Sequence, residues 1–297
     1  MQIRKIRSHF GTSMMKSATV FVIFLFFCIL FLLMFRSSLI LQTRSLPEIL
    51  FASTWNPDNK QFGLGAIIIG TILVTGIALL IAIPISLFSA IYISEYAPTK
   101  IKRIIRPFLD VLAGVPSVVY GLCAFLFLVP LVKDVIAPWF NIQSTGLCIF
   151  SAALILAVMV FPIIISLCVE TFTAIPLSLK EASLSIGATK WETVKKVVFR
   201  ASSPSIIAAI LLGFGRAFGE TIAVNMVIGG IPRIPNSVFS PGETLASLIA
   251  SKYGELMSIP IHESALMLVA LILFLVVFMF NIFGVIILRR AKKRWNY

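Results

Sequence analysis

Six apolar runs, each long enough to cross a bilayer, dominate the chain. About 20 residues of helix span a hydrocarbon core of about 30 Å. The runs fall near 18–40, 64–92, 111–132, 146–169, 205–229 and 264–288. Lipid offers backbone groups no hydrogen-bond partner, so each run must pair its own and predicts a helix. Of the residues, 59% are hydrophobic and only 12% charged, with a mean hydropathy of +1.03. That composition excludes a soluble domain and points to an all-α integral membrane protein with six transmembrane helices. The first run follows a basic N-terminus, but it exceeds a signal-peptide core, and Arg36-Ser37-Ser38-Leu39 is a poor cleavage site. It reads as a retained span. Pro84 predicts a kink or tilt in the second run, and Gly114-Val115-Pro116-Ser117 predicts a broken or late-starting third helix.

The formal net charge of +13 would suggest nucleic acid in a soluble protein. Here the basic residues cluster at span ends, so topology accounts for them and no nucleic-acid partner is expected. With the N-terminus inside, 18 of the 25 basic residues fall in cytoplasmic segments and 6 in external ones, and Arg216 lies within a span. Both termini are therefore expected on the cytoplasmic side of the membrane. Cys28, Cys123, Cys148 and Cys168 form no CxxC pair and read as small core residues. With only His9 and His262 beside them, a metal cluster is not expected. His262 itself reads as a solvated interface residue. The chain lacks G-x-x-x-x-G-K-[ST], H-E-x-x-H and G-x-S-x-G, so neither ATP binding by a P-loop nor a familiar hydrolytic site is expected.

Arg216 and Glu220 stand inside the fifth run with Gly215 and Gly219 beside them. A charge at mid-bilayer costs roughly 2.5–3.5 kcal/mol on insertion scales and usually faces protein or a polar path. Four positions apart, the two share one helix face. Two readings stand side by side. Either they form a structural ion pair, with Gly215 and Gly219 as a close helix contact, or Arg216 binds an oxyanion through its planar fork. In the second reading Glu220 accepts a hydrogen bond from a protonated oxygen of that anion. Ser117 and Tyr120, near the Gly114-Val115-Pro116 break, and Thr221 and Asn225 could line the same route or simply bond neighbouring helices.

The largest cytoplasmic loop, about 170–204, carries two capping-box patterns, Ser178-Leu179-Lys180-Glu181 and Thr189-Lys190-Trp191-Glu192. Gly187 lies between them, where a helix stop needs a left-handed residue. Trp191, Val194 and Val198 share one face of the second helix. Two capped helices joined at a glycine make either a connector or a docking surface.

Glu181-Ala182-Ser183, followed by Gly187, resembles the EAA loop of binding-protein-dependent ABC importer permeases, with Val197-Val198-Phe199-Arg200 at the place of its I-x-L-P tail. The chain departs from that motif at Ser183 and at Arg200, where proline is usual. Gly114-Val115-Pro116-Ser117-Val118-Val119-Tyr120-Gly121-Leu122 and Gly215-Arg216-Ala217-Phe218-Gly219-Glu220-Thr221-Ile222-Ala223-Val224 resemble the phosphate permeases of the Pst type, and Asn225-Met226-Val227-Ile228-Gly229 is nearer to their PstC branch than to PstA.

The resemblance implies a MetI-like type I importer fold. Glu181, Ala182, Ser183 and Gly187 would form the coupling helix that sits on an ATPase. The partners it implies are a second, PstA-like permease, two PstB-like ATPase subunits holding the ATP, and a PstS-like external phosphate-binding protein. No cofactor would be bound by this chain. The expected division is 1–62 for the first span and external loop, 63–288 for the permease domain and 289–297 for a basic tail. Part of the external segment from Ile231 to His262 would meet the binding protein. Competing readings are a permease for molybdate, sulfate or phosphonate, and an ATP-independent channel or scaffold.

Overall fold

A computed structural model describes residues 2–256 and 258–295. Met1, Met257, Asn296 and Tyr297 lie outside the described residues, as do the side chains of residues 2–10, Leu256 and 291–297. The basic side chains of Arg4, Lys5, Arg7, Lys292, Lys293 and Arg294 are among them.

Helix α1 (Gln2–Thr43) leads through the short α2 (Leu46–Phe51) into a two-stranded hairpin, β1 (Trp55–Asn56) and β2 (Gln61–Phe62). The strands are antiparallel with Trp55 opposite Phe62. Helix α3 (Gly65–Tyr96) runs unbroken through Pro84 and ends in a π turn, Tyr92–Tyr96. Then come α4 (Thr99–Gly114) and α5 (Ser117–Trp139), separated by extended backbone at Val115 and Pro116. A residue before proline avoids the helical region, so the chain breaks there. The third crossing accordingly starts late, and the basic residues of α4 stand outside it. The central span is α6 (Ile149–Thr173).

Helices α7 (Leu177–Ser185) and α8 (Lys190–Ala201) form the inner loop, and α9 (Ser203–Gly219) and the short α10 (Ile222–Val227) make the fifth crossing. Helix α11 (Leu245–Leu256) precedes the last helix, α12 (Pro260–Trp295).

Among the described residues, five helices are long and apolar enough to cross a bilayer. Helix α9, with 17 residues, covers only about 25 Å at 1.5 Å per residue. It is followed, after a break at Glu220 and Thr221, by α10. Helix α6 is the centre of the fold, packed by α3, α4, α9 and α10, whereas α1 lies at the edge against α12. The α1–α12 seam is aromatic, with Phe26 5.0 Å from both Phe274 and Phe278.

Part of the segment after α10 folds back onto the spans. Gly242 donates to the Ile228 carbonyl at 3.0 Å and accepts from Ile231 at 3.1 Å. Residues 242–248 are all buried. The close approach depends on Gly70 of α3, where a Cβ would lie 2.2 Å from the Glu243 carbonyl oxygen. His262 is likewise not a solvated residue. It is 6% exposed, its Nε2 lies 3.2 Å from the Pro57 carbonyl oxygen, and its ring abuts Phe62. The hairpin covers the outer end of α12, a contact no local pattern announces. Glu263 beside it pairs with Arg36 at 2.7 Å. Cys148 and Cys168 are buried as core residues, but Cys28 and Cys123 are exposed on the faces of their spans.

Candidate functional site

Arg216 stands 13 positions beyond Ser203 in α9, about 20 Å along the helix. That depth is well inside a core of about 30 Å. The helix does not continue past Gly219: Glu220 is extended, with φ −70° and ψ 123°, and α10 restarts at Ile222. The break separates Arg216 and Glu220, which sequence spacing had placed on one continuous face. No Arg216–Glu220 ion pair exists among the described residues.

Glu220 has a different task. Its Oε1 accepts the Ala223 N–H at 3.3 Å, and the Thr221 hydroxyl donates to the Gly219 carbonyl at 3.0 Å. The two side chains satisfy backbone groups released by the broken ladder. Arg216 keeps a buried Nε with no hydrogen-bond partner. Buried polar atoms are rarely left so.

Helix α5 lies against α10 at this level. A Cβ on Gly121 would come within 2.7 Å of Met226 Sδ and 3.0 Å of Ala223 Cα, so glycine permits the contact. Tyr120, one residue earlier, is 8% exposed and donates its hydroxyl to the Leu112 carbonyl at 2.8 Å, across the α4–α5 break.

Ser117 opens α5, partly exposed. Thr221 lies in the break, and Asn225 belongs to α10 rather than to an extended fifth helix. Gly215 and Gly219 make no tight helix contact, since a Cβ at either meets nothing within 4 Å. They open onto a groove of about 490 Å³ shared with α1 and α12. The close approach is at Gly213, where a Cβ would lie 2.9 Å from Ile164 and 3.0 Å from Val160.

The inner loop is a rigid protrusion. Helix α7 starts at Leu177 with Pro176 at its cap. Ser178 is therefore inside the helix, and the first expected capping box does not form, because the proline has already set the start. The second forms as expected: Glu192 donates its N–H to Thr189 Oγ1 at 3.2 Å, and Thr189 donates its N–H to Glu192 Oε2 at 2.9 Å. Gly187 takes φ +87°. Its N–H reaches the Leu184 carbonyl at 3.0 Å and that of Ala188 reaches Ser183 at 3.3 Å, which closes α7.

Glu181, Ala182 and Gly187 are exposed, and Ile186 beside them is 85% exposed. Ser183 Oγ lies 3.0 Å from Thr193 Oγ1 and ties α7 to α8. Lys180 pairs with Glu95 of α3 at 2.7 Å, and Lys190 sits 4.6 Å above the Tyr96 ring. The inner end of α3 therefore grips the loop from both sides. Helix α8 leaves at 71° to α9. Pro204, at the start of α9, stands at the turn in place of the proline missing at Arg200.

A multi-pass helical protein with a broken, charge-bearing crossing and an exposed inner loop has the layout of an importer's membrane component. The chain belongs to the family of binding-protein-dependent transport system inner membrane components, which matches residues 82–294.

Similar proteins include the phosphate transport system permease protein PstC of Xylella fastidiosa, 36% identical over 83% of this chain and 80% of that protein. PstC of Haemophilus influenzae is 35% identical over 82% and 81%. The probable PstC of Methanocaldococcus jannaschii is 33% identical over 94% and 93%. Among solved structures, the inward-facing MetNI methionine ABC transporter matches with a TM-score of 0.56 at 17% identity, covering 75% of this chain and 93% of that one. A bacterial ABC transporter involved in alginate import matches with a TM-score of 0.57 at 14% identity, covering 82% and 87%. These likenesses establish the importer permease fold.

Proposed function

We propose that this chain is the transmembrane permease subunit of an ATP-driven importer of inorganic phosphate. It forms the translocation path with a second permease. Two ATPase subunits bind the ATP, and an extracytoplasmic binding protein delivers the anion. This chain hydrolyses nothing and binds no cofactor itself. Both termini are cytoplasmic, by the distribution of basic residues, with 1–62, 63–288 and 289–297 as first span and external loop, permease domain and tail.

The observation that carries the reading is Arg216, a cation deep in a broken span with its Nε unpartnered. A guanidinium matches phosphate oxygens with two parallel hydrogen bonds and stays charged at any depth. Discontinuous helices at mid-membrane are a recurrent way to expose polar backbone to a substrate. Tyr120, Ser117, Thr221 and Asn225 are the further polar side chains we assign to the path. Glu220, held by its cap to Ala223, presents a carboxylate that accepts from protonated phosphate and repels an unprotonated oxyanion such as sulfate. The exposed Glu181–Gly187 surface is the site for the ATPase, and the Lys180–Glu95 pair carries its movement into α3.

The test is uptake of labelled phosphate by the assembled transporter carrying Arg216→Gln. We expect uptake to fall at least tenfold while both permeases and the ATPase still co-purify. Loss of assembly instead would assign Arg216 a structural role. In Glu220→Gln, phosphate-over-sulfate selectivity should weaken; unchanged selectivity would remove the carboxylate from the discrimination step.

A further inference from the structure

A groove of about 770 Å³ runs between the inner half of α3 and the outer face of α8. Its α3 wall is apolar, including Pro84, Leu87 and Phe88, and Phe88 is 65% exposed. The α8 wall contributes Trp191, Val194 and Phe199. Its remaining lining is cationic, from Lys195, Lys196 and Arg200. Across a π turn at Val194–Val198, α8 turns both rings and all three charges toward the groove. Val194, at 2% exposure, forms the floor of the groove beside Trp191, and Val198, at 1%, anchors α8 in the protein core.

Among the described residues neither Lys195 nor Arg200 is in an ion pair, and Lys196 has only an exposed partner, Glu192, at 3.4 Å. An apolar trough lined on one side by unneutralised cations is amphipathic in the same sense as a phospholipid with an acidic headgroup. The charge distribution puts this end of α3 at the cytoplasmic leaflet, whose surface is anionic and whose headgroups collect in basic pockets between spans.

We propose that this groove is a binding site for one anionic phospholipid of the cytoplasmic leaflet. An acyl chain lies along Pro84, Leu87 and Phe88, and the headgroup phosphate is held by Lys195, Lys196 and Arg200. The inference rests on the proposed orientation, not on phosphate transport. The site joins α3 to the second helix of the inner loop, so the lipid steadies that loop's base. A second permease covering the same face is the competing occupant. Charge complementarity favours the lipid, because a buried protein helix would have to neutralise all three cations.

The full chain with Trp191 as its sole tryptophan, the other three changed to Phe, is reconstituted in bilayers of phosphatidylcholine and phosphatidylglycerol, one or the other brominated. Bromine quenches indole fluorescence only on contact. Brominated phosphatidylglycerol should associate at Trp191 roughly a hundredfold more strongly than brominated phosphatidylcholine, since each of the three basic residues near an anionic surface contributes about fivefold. Added salt should reduce that preference. In K195Q/K196Q/R200Q it should fall to unity, whereas the charge-conserving K195R/K196R/R200K variant should keep it, which separates charge from misfolding.

Equal quenching by both lipids in the unsubstituted background, or a preference that survives the triple Gln change, overturns the proposal. So does a preference abolished by inorganic phosphate in the aqueous phase, which would mark a free-anion site. The assembled transporter should show the same preference. Shielding of Trp191 from both lipids there would mean that the second permease fills the groove.

Discussion

Helices α6 and α1 are both candidate spans of almost equal apolar character, yet they live in opposite surroundings. In α6, 67% of the residues in the most apolar stretch are buried within this chain; in α1 none are. The difference lies in side-chain size. Helix α6 carries Ser151, Ala152, Ala153 and Ala157, each at 0% or 1% exposure, which let α3, α9 and α10 approach. Helix α1 presents Phe21, Phe24, Phe27, Phe31 and Phe35, all more than half exposed. Between helices in lipid no hydrophobic drive exists, so close packing by small residues selects the interior partner. Apolar character specifies a span; the distribution of small residues specifies which span sits in the middle.

The sharpest way to break this comparison extends it to charges. The Glu95–Lys180 side chains are only 10% and 16% exposed, whereas those of Lys252–Glu255 are 39% and 65% exposed. Lys180→Met strands the Glu95 carboxylate. Removing one partner of a largely buried pair costs roughly 3 kcal/mol, seen as a fall in the melting temperature of the purified chain and weaker co-purification of the ATPase. The double variant with Glu95→Gln should recover most of the loss. Lys252→Ala should cost under about 1 kcal/mol in the same assay.

Next in size is Ala157→Phe, which forces a ring into the most crowded helix and should destabilise by about 2 kcal/mol in thermal melts. Equal melting of the variant and the parent would deny α6 its central place.

Acid titration gives a third, smaller effect, from the buried outer segment. Burial raises the Glu243 carboxyl from an ordinary 4.5 to about 7, against the smaller opposing influences of Ser251 and Lys252. The folded chain then holds a proton that the unfolded chain has released. Stability should fall as pH rises from about 4.5 through about 7 and level off above. Melting temperatures at about pH 5 and about pH 8 should differ by several degrees, and Glu243→Gln should remove the difference. A slope of the opposite sign would mean that Glu243 is charged and paired.

The smallest effect belongs to the rim: Phe27→Leu in α1, at a site 59% exposed, should shift the melt of the isolated chain by less than about 0.5 kcal/mol.

Much of the architecture was legible in composition and local pattern. The spans, the late start of α5 after Val115-Pro116, the left-handed Gly187 and the Thr189–Glu192 cap all follow from apolar run length, proline sterics and short-range hydrogen bonding. Each depends on residues a few positions apart. What the string of residues could not decide was which distant backbone meets which. The break at Glu220 looks locally like an uninterrupted helix carrying an i, i+4 pair. It forms because the carboxylate finds the Ala223 N–H while α5 closes on α10 through Gly121. The burial of His262 and Glu243 likewise depends on a hairpin and on Gly70, far away in sequence. Short-range sterics and hydropathy are written residue by residue. The fate of a charge inside the membrane is decided only when the spans close around it, because desolvation and pairing depend on every neighbour at once.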